Sequence, residues 1–168
     1  MLRRILALGF ACAAASSFGQ LLTDIDPNWK EVDAPPPPAV RTQGLIPLET
    51  SASIALRFGV DPASVSVGAD GVVRYVVVAS SASGTVNAMY EGLRCNTAEV
   101  KVYARHNPDS GWVPVRGAEW QPLQDRPNSR HSLVVARTGA CMGRGISGTA
   151  SDIVRALRSP AEARFDRR

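Results

Sequence analysis

The chain is predicted to fold as a small α+β domain, an antiparallel β-meander of about five to seven strands with one short C-terminal helix packed on the sheet. Three observations predict it. Apolar runs of strand length follow one another between residues 54 and 115, with turn chemistry between them. Residues 99–105 alternate cleanly, Val100, Val102 and Ala104 against Lys101, Tyr103 and Arg105, which gives one buried and one wet face. Only residues 151–158 carry a helical pattern, with Ile153, Val154 and Leu157 on one face to dock on the sheet.

Taken in order, residues 54–60 form a strand, and Asp61, Pro62, Ala63 and Ser64 set up a turn. A short strand at 65–67 leads to Asp70-Gly71, a pair that supplies the positive φ of a tight hairpin. Residues 72–79 are apolar on both faces except at Arg74, the pattern of a central strand covered on both sides. The chain turns at 80–84 and returns over 85–95. After 99–105, Asn107-Pro108-Asp109-Ser110-Gly111 closes another hairpin and 112–115 pairs back. Beyond Trp120 a strand is expected at 133–135, and 139–148 is too rich in glycine for regular structure. Glycines 143, 145 and 148 before a helix look like an anion cradle, but they lack the preceding βαβ context, so a plain loop is expected. Ser147, Thr149 or Ser151 caps the helix, Asp152 and Arg155 suit its two ends, and Pro160 stops it. Residues 161–168 read as a frayed basic tail.

The first 19 residues read as a secretory signal peptide: Arg3 and Arg4, an apolar run too short to span a membrane, then small residues. Ser17 and Gly19 favour cleavage before Gln20; Ala13 and Ala15 would allow it before Ser16. A lipoprotein role for Cys12 lacks a leucine-like residue three positions earlier, where Gly9 stands. Residues 20–44 form an acidic, then proline-rich arm, with Pro35-Pro36-Pro37-Pro38 favouring polyproline II and serving as a stiff tether. Trp29 pins the arm to the domain or waits for a partner. Residues 45–160 then make a single domain, since a chain of this size buries one good core.

Loss of Arg3 and Arg4 with the leader lowers the net charge from +4 to +2, so the remainder is only weakly basic. Nine arginines lie from Arg126 onward, which reads first as a solvated basic face; anionic lipid or an anionic envelope polymer could meet it, and in an exported protein nucleic acid is the least expected partner. No cofactor is implied, and no later segment could span a membrane as a helix. After export only Cys95 and Cys141 remain, and two thiols in an oxidising compartment are expected to pair. The bond closes a loop of about 47 residues, for which chain entropy gives roughly 4 kcal/mol.

No metal site is expected, because CxxC, HxH and HExxH are all absent, and so is the GxSxG of a serine hydrolase elbow. No catalytic residue is assigned. Arg74, Tyr90, Glu91 and Arg94 are the one candidate ligand patch; the bland reading is a cross-strand ion pair on a solvated face. The leading expectation is a non-catalytic binding or structural protein of the envelope. The alternative is an envelope-polymer hydrolase or thiol enzyme using His106 or His131, both expected at the surface. A histidine found in a cleft within reach of Cys95, a serine or a carboxylate would favour it.

Residues 58–75, FGVDPASVSVGADGVVRY, together with Tyr90-Glu91-Gly92-Leu93-Arg94-Cys95 and Lys101-Val102-Tyr103-Ala104, resemble the CNP-one-like family of exported β-proteobacterial proteins. The likeness extends to Trp112, Trp120 and residues 153–158. It implies a Gram-negative periplasmic or envelope location and carries no catalytic residues with it.

Overall fold

The computed structural model describes residues 26–50, 55–124 and 129–159. The expected leader (1–19), Pro160 and the expected basic tail (161–168) lie outside the described residues. The strands are β1 (Ile46–Leu48), β2 (Leu56–Val60), β3 (Ser66–Val67), β4 (Val73–Ser81), β5 (Val86–Arg94), β6 (Glu99–Asn107), β7 (Gly111–Pro114) and β8 (Gln121–Pro122). They form one antiparallel sheet in the order β1-β2-β4-β5-β6-β7, with β3 beside β4 and β8 beside β6. The order follows from consecutive hairpins, so the meander expected from the turn residues is present, with more strands than expected.

The central strand β4 is buried on both faces, which is why its sequence does not alternate. Val73, Tyr75, Val77 and Ala79 face one layer with Phe58, Val60, Leu93 and Val100. Val76 and Val78 face the other with Ala88, Tyr90 and Ala104. The first layer is closed by helix α1 (Arg130–Val135), a π turn at Ala136–Ala140 and helix α2 (Ala150–Arg158). Thr149 caps α2 in a reciprocal box with Asp152, and Ile153 and Leu157 enter the core. No described helix is long and apolar enough to cross a membrane.

Two expectations are corrected here. Leu133, Val134 and Val135 are helical, not strand: their β propensity yields to burial of Val135 and Ala136 against the sheet. Residues 139–148 are ordered into the π turn and a small hairpin, β9 (Cys141–Met142) with β10 (Gly145–Ile146). Gly139 is needed there by close approach, since a Cβ would stand 2.6 Å from Leu157 Cγ. Cys95, just past β5, is bonded to Cys141 with Cα atoms 5.6 Å apart, so the disulfide ties the π turn and hairpin to the sheet.

The second layer is closed by the arm. From residue 30 to 44 no backbone-to-backbone hydrogen bond is formed among the described residues, and only Glu31, Ala34, Pro37 and Val40 are half-buried. Burial at every third residue is the period of a polyproline II helix lying on a surface. The arm is therefore not a free tether. Ala34 and Val40 pack against the Val76 and Tyr90 cluster.

Candidate functional site

On the helix face, helices cover only part of the sheet and leave a cleft of about 360 Å³. Its walls are apolar, with Phe58, Ala79, Met89 and Val102, and Asn87 and Arg105 add polar groups. Glu91 and His131 also line it, 1% and 2% exposed. Arg105 is exposed and donates to Met89 Sδ at 3.1 Å, and no carboxylate pairs with it among the described residues.

Glu91 reaches this position because β5 presents it to the same face as its cross-strand partner Tyr75. The pairing of β5 with β6 shifts beside it, Tyr90 opposing Ala104 while Glu91 opposes Val102. This bulge leaves Tyr103 as the extra residue and bends the sheet next to the cleft. Tyr75 Oη donates to Glu91 Oε2 at 2.8 Å, Ser132 Oγ donates to the same oxygen at 3.0 Å, and His131 Nε2 lies 2.9 Å from Oε1. Burial pushes the Glu91 carboxyl up, but the facing His131 and the bonds from His131, Tyr75 and Ser132 outweigh it and hold the pKa below the usual range. Burial, then the neighbouring carboxylate, pushes the Tyr75 phenol well up, so Tyr75 remains a donor.

An ionised Glu91 accepts only, so the hydrogen between Oε1 and His131 sits on Nε2. The other ring nitrogen, Nδ1, is buried without a hydrogen-bond partner. Phe58 stacks on the imidazole with ring centres 4.7 Å apart and fixes its plane. The result is a histidine whose tautomer and orientation are set by a carboxylate, at the wall of a cleft. That nitrogen is shut off from the cleft as the side chains stand, so it can meet a ligand or take a proton only once the ring or a neighbour moves.

His131 was expected at the surface and is instead buried, because α1 turns it inward to meet Glu91. His106, expected at the surface, lines the same cleft near the end of β6, edge-on to Trp112 at 5.3 Å. The structure does not gather Arg74, Tyr90, Glu91 and Arg94 on one face. Tyr90 belongs to the arm-side core and Arg74 and Arg94 meet the arm, whereas Glu91 bonds to the helix layer. Arg74 and Glu91 make no ion pair; Asp70 takes Arg74 Nη2 at 2.6 Å. Cys95 and Cys141 are spent in the disulfide, and Ser132 Oγ is turned to Glu91, so none of the three offers a nucleophile to His131. Among the described residues no three His, Cys, Asp or Glu side chains cluster as metal ligands.

Tyr75 and Ser132 were missed by sequence reasoning. The first was within reach: a hairpin centred on Ser83 places Tyr75 directly opposite Glu91. Nothing local marks Ser132, which arrives from a helix 41 residues away.

No curated protein and no solved structure matches the chain. The CNP1-like family matches residues 24–158, from the arm through the end of α2. With four-fifths of its length inside that match, the chain belongs to the CNP1-like (CNP-one-like) family.

Proposed function

We propose that the protein is an exported binding protein of the Gram-negative envelope, disulfide-bonded in the periplasm, whose ligand is an amphiphilic anion seated in the helix-face cleft. The observation that carries this reading is the makeup of the cleft: apolar walls, a cation at Arg105 without a carboxylate partner among the described residues, and His131 locked by Glu91. A hydrocarbon part would lie on Phe58 and Met89 and the acid group at Arg105, with the His131 side chain at the wall. Export is supported by the leader-like opening residues and by a disulfide that closes a long loop.

The test is titration of the intact protein, purified from a bacterial periplasm, with straight-chain carboxylates and alkyl phosphates, followed by heteronuclear NMR. Chemical-shift changes at Met89, Arg105 and His131, weakened about tenfold by Arg105→Glu, are expected for a charge-assisted contact of this kind. Binding that left those three residues unshifted, or was indifferent to Arg105→Glu, would refute the reading.

A hydrolase reading draws on one specific observation, the buried Glu91–His131 pair at a cleft. Here water would be the nucleophile and His131 Nδ1, once opened to the cleft, the base. Turnover of an ester or glycoside that His131→Gln abolishes without weakening binding would select it over simple binding.

A further inference from the structure

We propose that the other face of the sheet is a groove that reads polyproline II helices, filled in cis by the chain's own arm, and that its partner in trans is a proline-rich, acidic, tryptophan-bearing segment of another envelope protein. This inference does not depend on the cleft.

A polyproline II helix makes no internal hydrogen bonds, so its carbonyls and amides are free to be read by whatever it lies on. The arm face reads them. Trp112 Nε1 donates to the Pro38 carbonyl at 2.8 Å, Arg74 Nη2 donates to the Val32 carbonyl at 2.9 Å, and the Val32 amide donates to Asp70 Oδ2 at 3.0 Å. Side chains of the arm are read as well. Trp29 lies 3.6 Å beneath the Arg94 guanidinium carbon and donates to the Asp70 carbonyl at 2.8 Å. Glu31 accepts from Lys101 Nζ at 2.9 Å and from Trp120 Nε1 at 3.1 Å. Aromatic rings paving a groove, an indole donor aimed at a proline carbonyl and a three-residue burial period are the physical requirements for recognising such a helix.

Two observations point beyond a permanent strap. The arm leaves binding capacity unused: Arg74 Nε and Arg94 Nε are buried with no hydrogen-bond partner among the described residues, and Arg74 as a whole is 2% exposed. A ligand that satisfied these groups would bind better than the arm does. The arm is also joined to β1 through exposed residues 41–44, with Gly44 at φ +69°, so it can leave without unpairing a strand. Gly92 helps shape the groove, since a Cβ there would stand 2.6 Å from Tyr103 Oη.

The probe is a synthetic peptide of residues 26–40, titrated into the full chain and into a full chain carrying Trp29→Ala and Glu31→Ala. Calorimetry gives the affinity, and the Trp112 and Trp120 indole resonances report the place. The doubly substituted chain should bind the peptide at least about tenfold tighter than the unsubstituted chain, whose own arm competes at high effective concentration. Adding Trp112→Phe, which keeps the ring and removes the donor, should weaken binding. Equal affinity for both chains, no binding to the substituted chain at millimolar peptide, or equal binding of a permuted peptide overturns the proposal. A dimer of the unsubstituted chain that the peptide dissociates also overturns it, because the occupant would then be a second copy's arm.

Discussion

The two faces of one sheet are closed by opposite means. On the helix face a buried ionised carboxylate has three side-chain partners, the helices bury Val135, Ile153 and Leu157, and a disulfide pins the layer. On the arm face half-exposed residues meet the sheet at every third position through hydrogen bonds and ring contacts, with no covalent tie among the described residues. The difference teaches that one carboxylate, Glu91, belongs to global stability, and another, Glu31, to a local opening.

The largest effect that would break this contrast comes from removing the two carboxylates separately. Glu91→Ala leaves Tyr75, His131 and Ser132 without their acceptor and should cost about 3–5 kcal/mol in urea denaturation, as loss of one member of a buried charged cluster does. Glu31→Ala should leave the denaturation midpoint nearly unchanged and raise amide exchange at Val32, the arm amide that donates to Asp70, and not in the helix layer. Similar losses for both would make the arm part of the cooperative core.

Acid sharpens the same contrast. Burial raises the Glu31 and Asp70 carboxyls, but Lys101, Tyr103 and Trp120 around the first and Arg74 with the Val32 and Val72 amides around the second prevail, and both lie below their ordinary values. Glu91 lies low as well. A folded-state pKa below the unfolded one contributes stability above the unfolded value, and that contribution fades as pH falls through the folded value. Both faces therefore weaken below the ordinary carboxylate range near pH 4.5. Because local opening costs less than unfolding, tryptophan emission should change before far-ultraviolet circular dichroism does. All three tryptophans serve the arm face, which makes the emission a specific reporter. Coincident transitions would mean that the arm does not open separately.

The smallest effect tests a single contact. Trp112→Phe removes one hydrogen bond, to the Pro38 carbonyl, and should weaken arm attachment by about 1 kcal/mol, measured by faster exchange of the Val32 amide, which donates to Asp70. The helix-face resonances should not move.

The sheet was legible because its information is local. Asp70-Gly71 and Asn107 to Gly111 mark hairpins, the alternation of 99–105 marks a half-buried strand, and the unbroken apolar run of β4 marks a two-sided one. The helical layer was legible only where a cap and a clean apolar stripe coincide, in α2. Leu133 to Val135 misled because β-branched residues suit either element, and packing against the sheet decided. Of the cleft, Glu91 was singled out and Ser132 was not, since side chains meeting across 41 residues leave no spacing to read. Proline composition announced the arm's conformation, while its seat depended on Trp112, 74 residues onward.

The arm's three-residue contact period gives it a phase as well as a composition. Each residue of a polyproline II helix advances the azimuth by about 120° and the axis by about 3.1 Å. Substitution at the outward positions 33, 35, 36 or 39 leaves that phase intact. Deleting any one of them rotates everything upstream by a third of a turn, swinging Trp29 and Glu31 away from Arg94 and Lys101. A stretch that reads as low complexity thus behaves like a toothed rack, tolerant of what its teeth are made of and intolerant of a missing one.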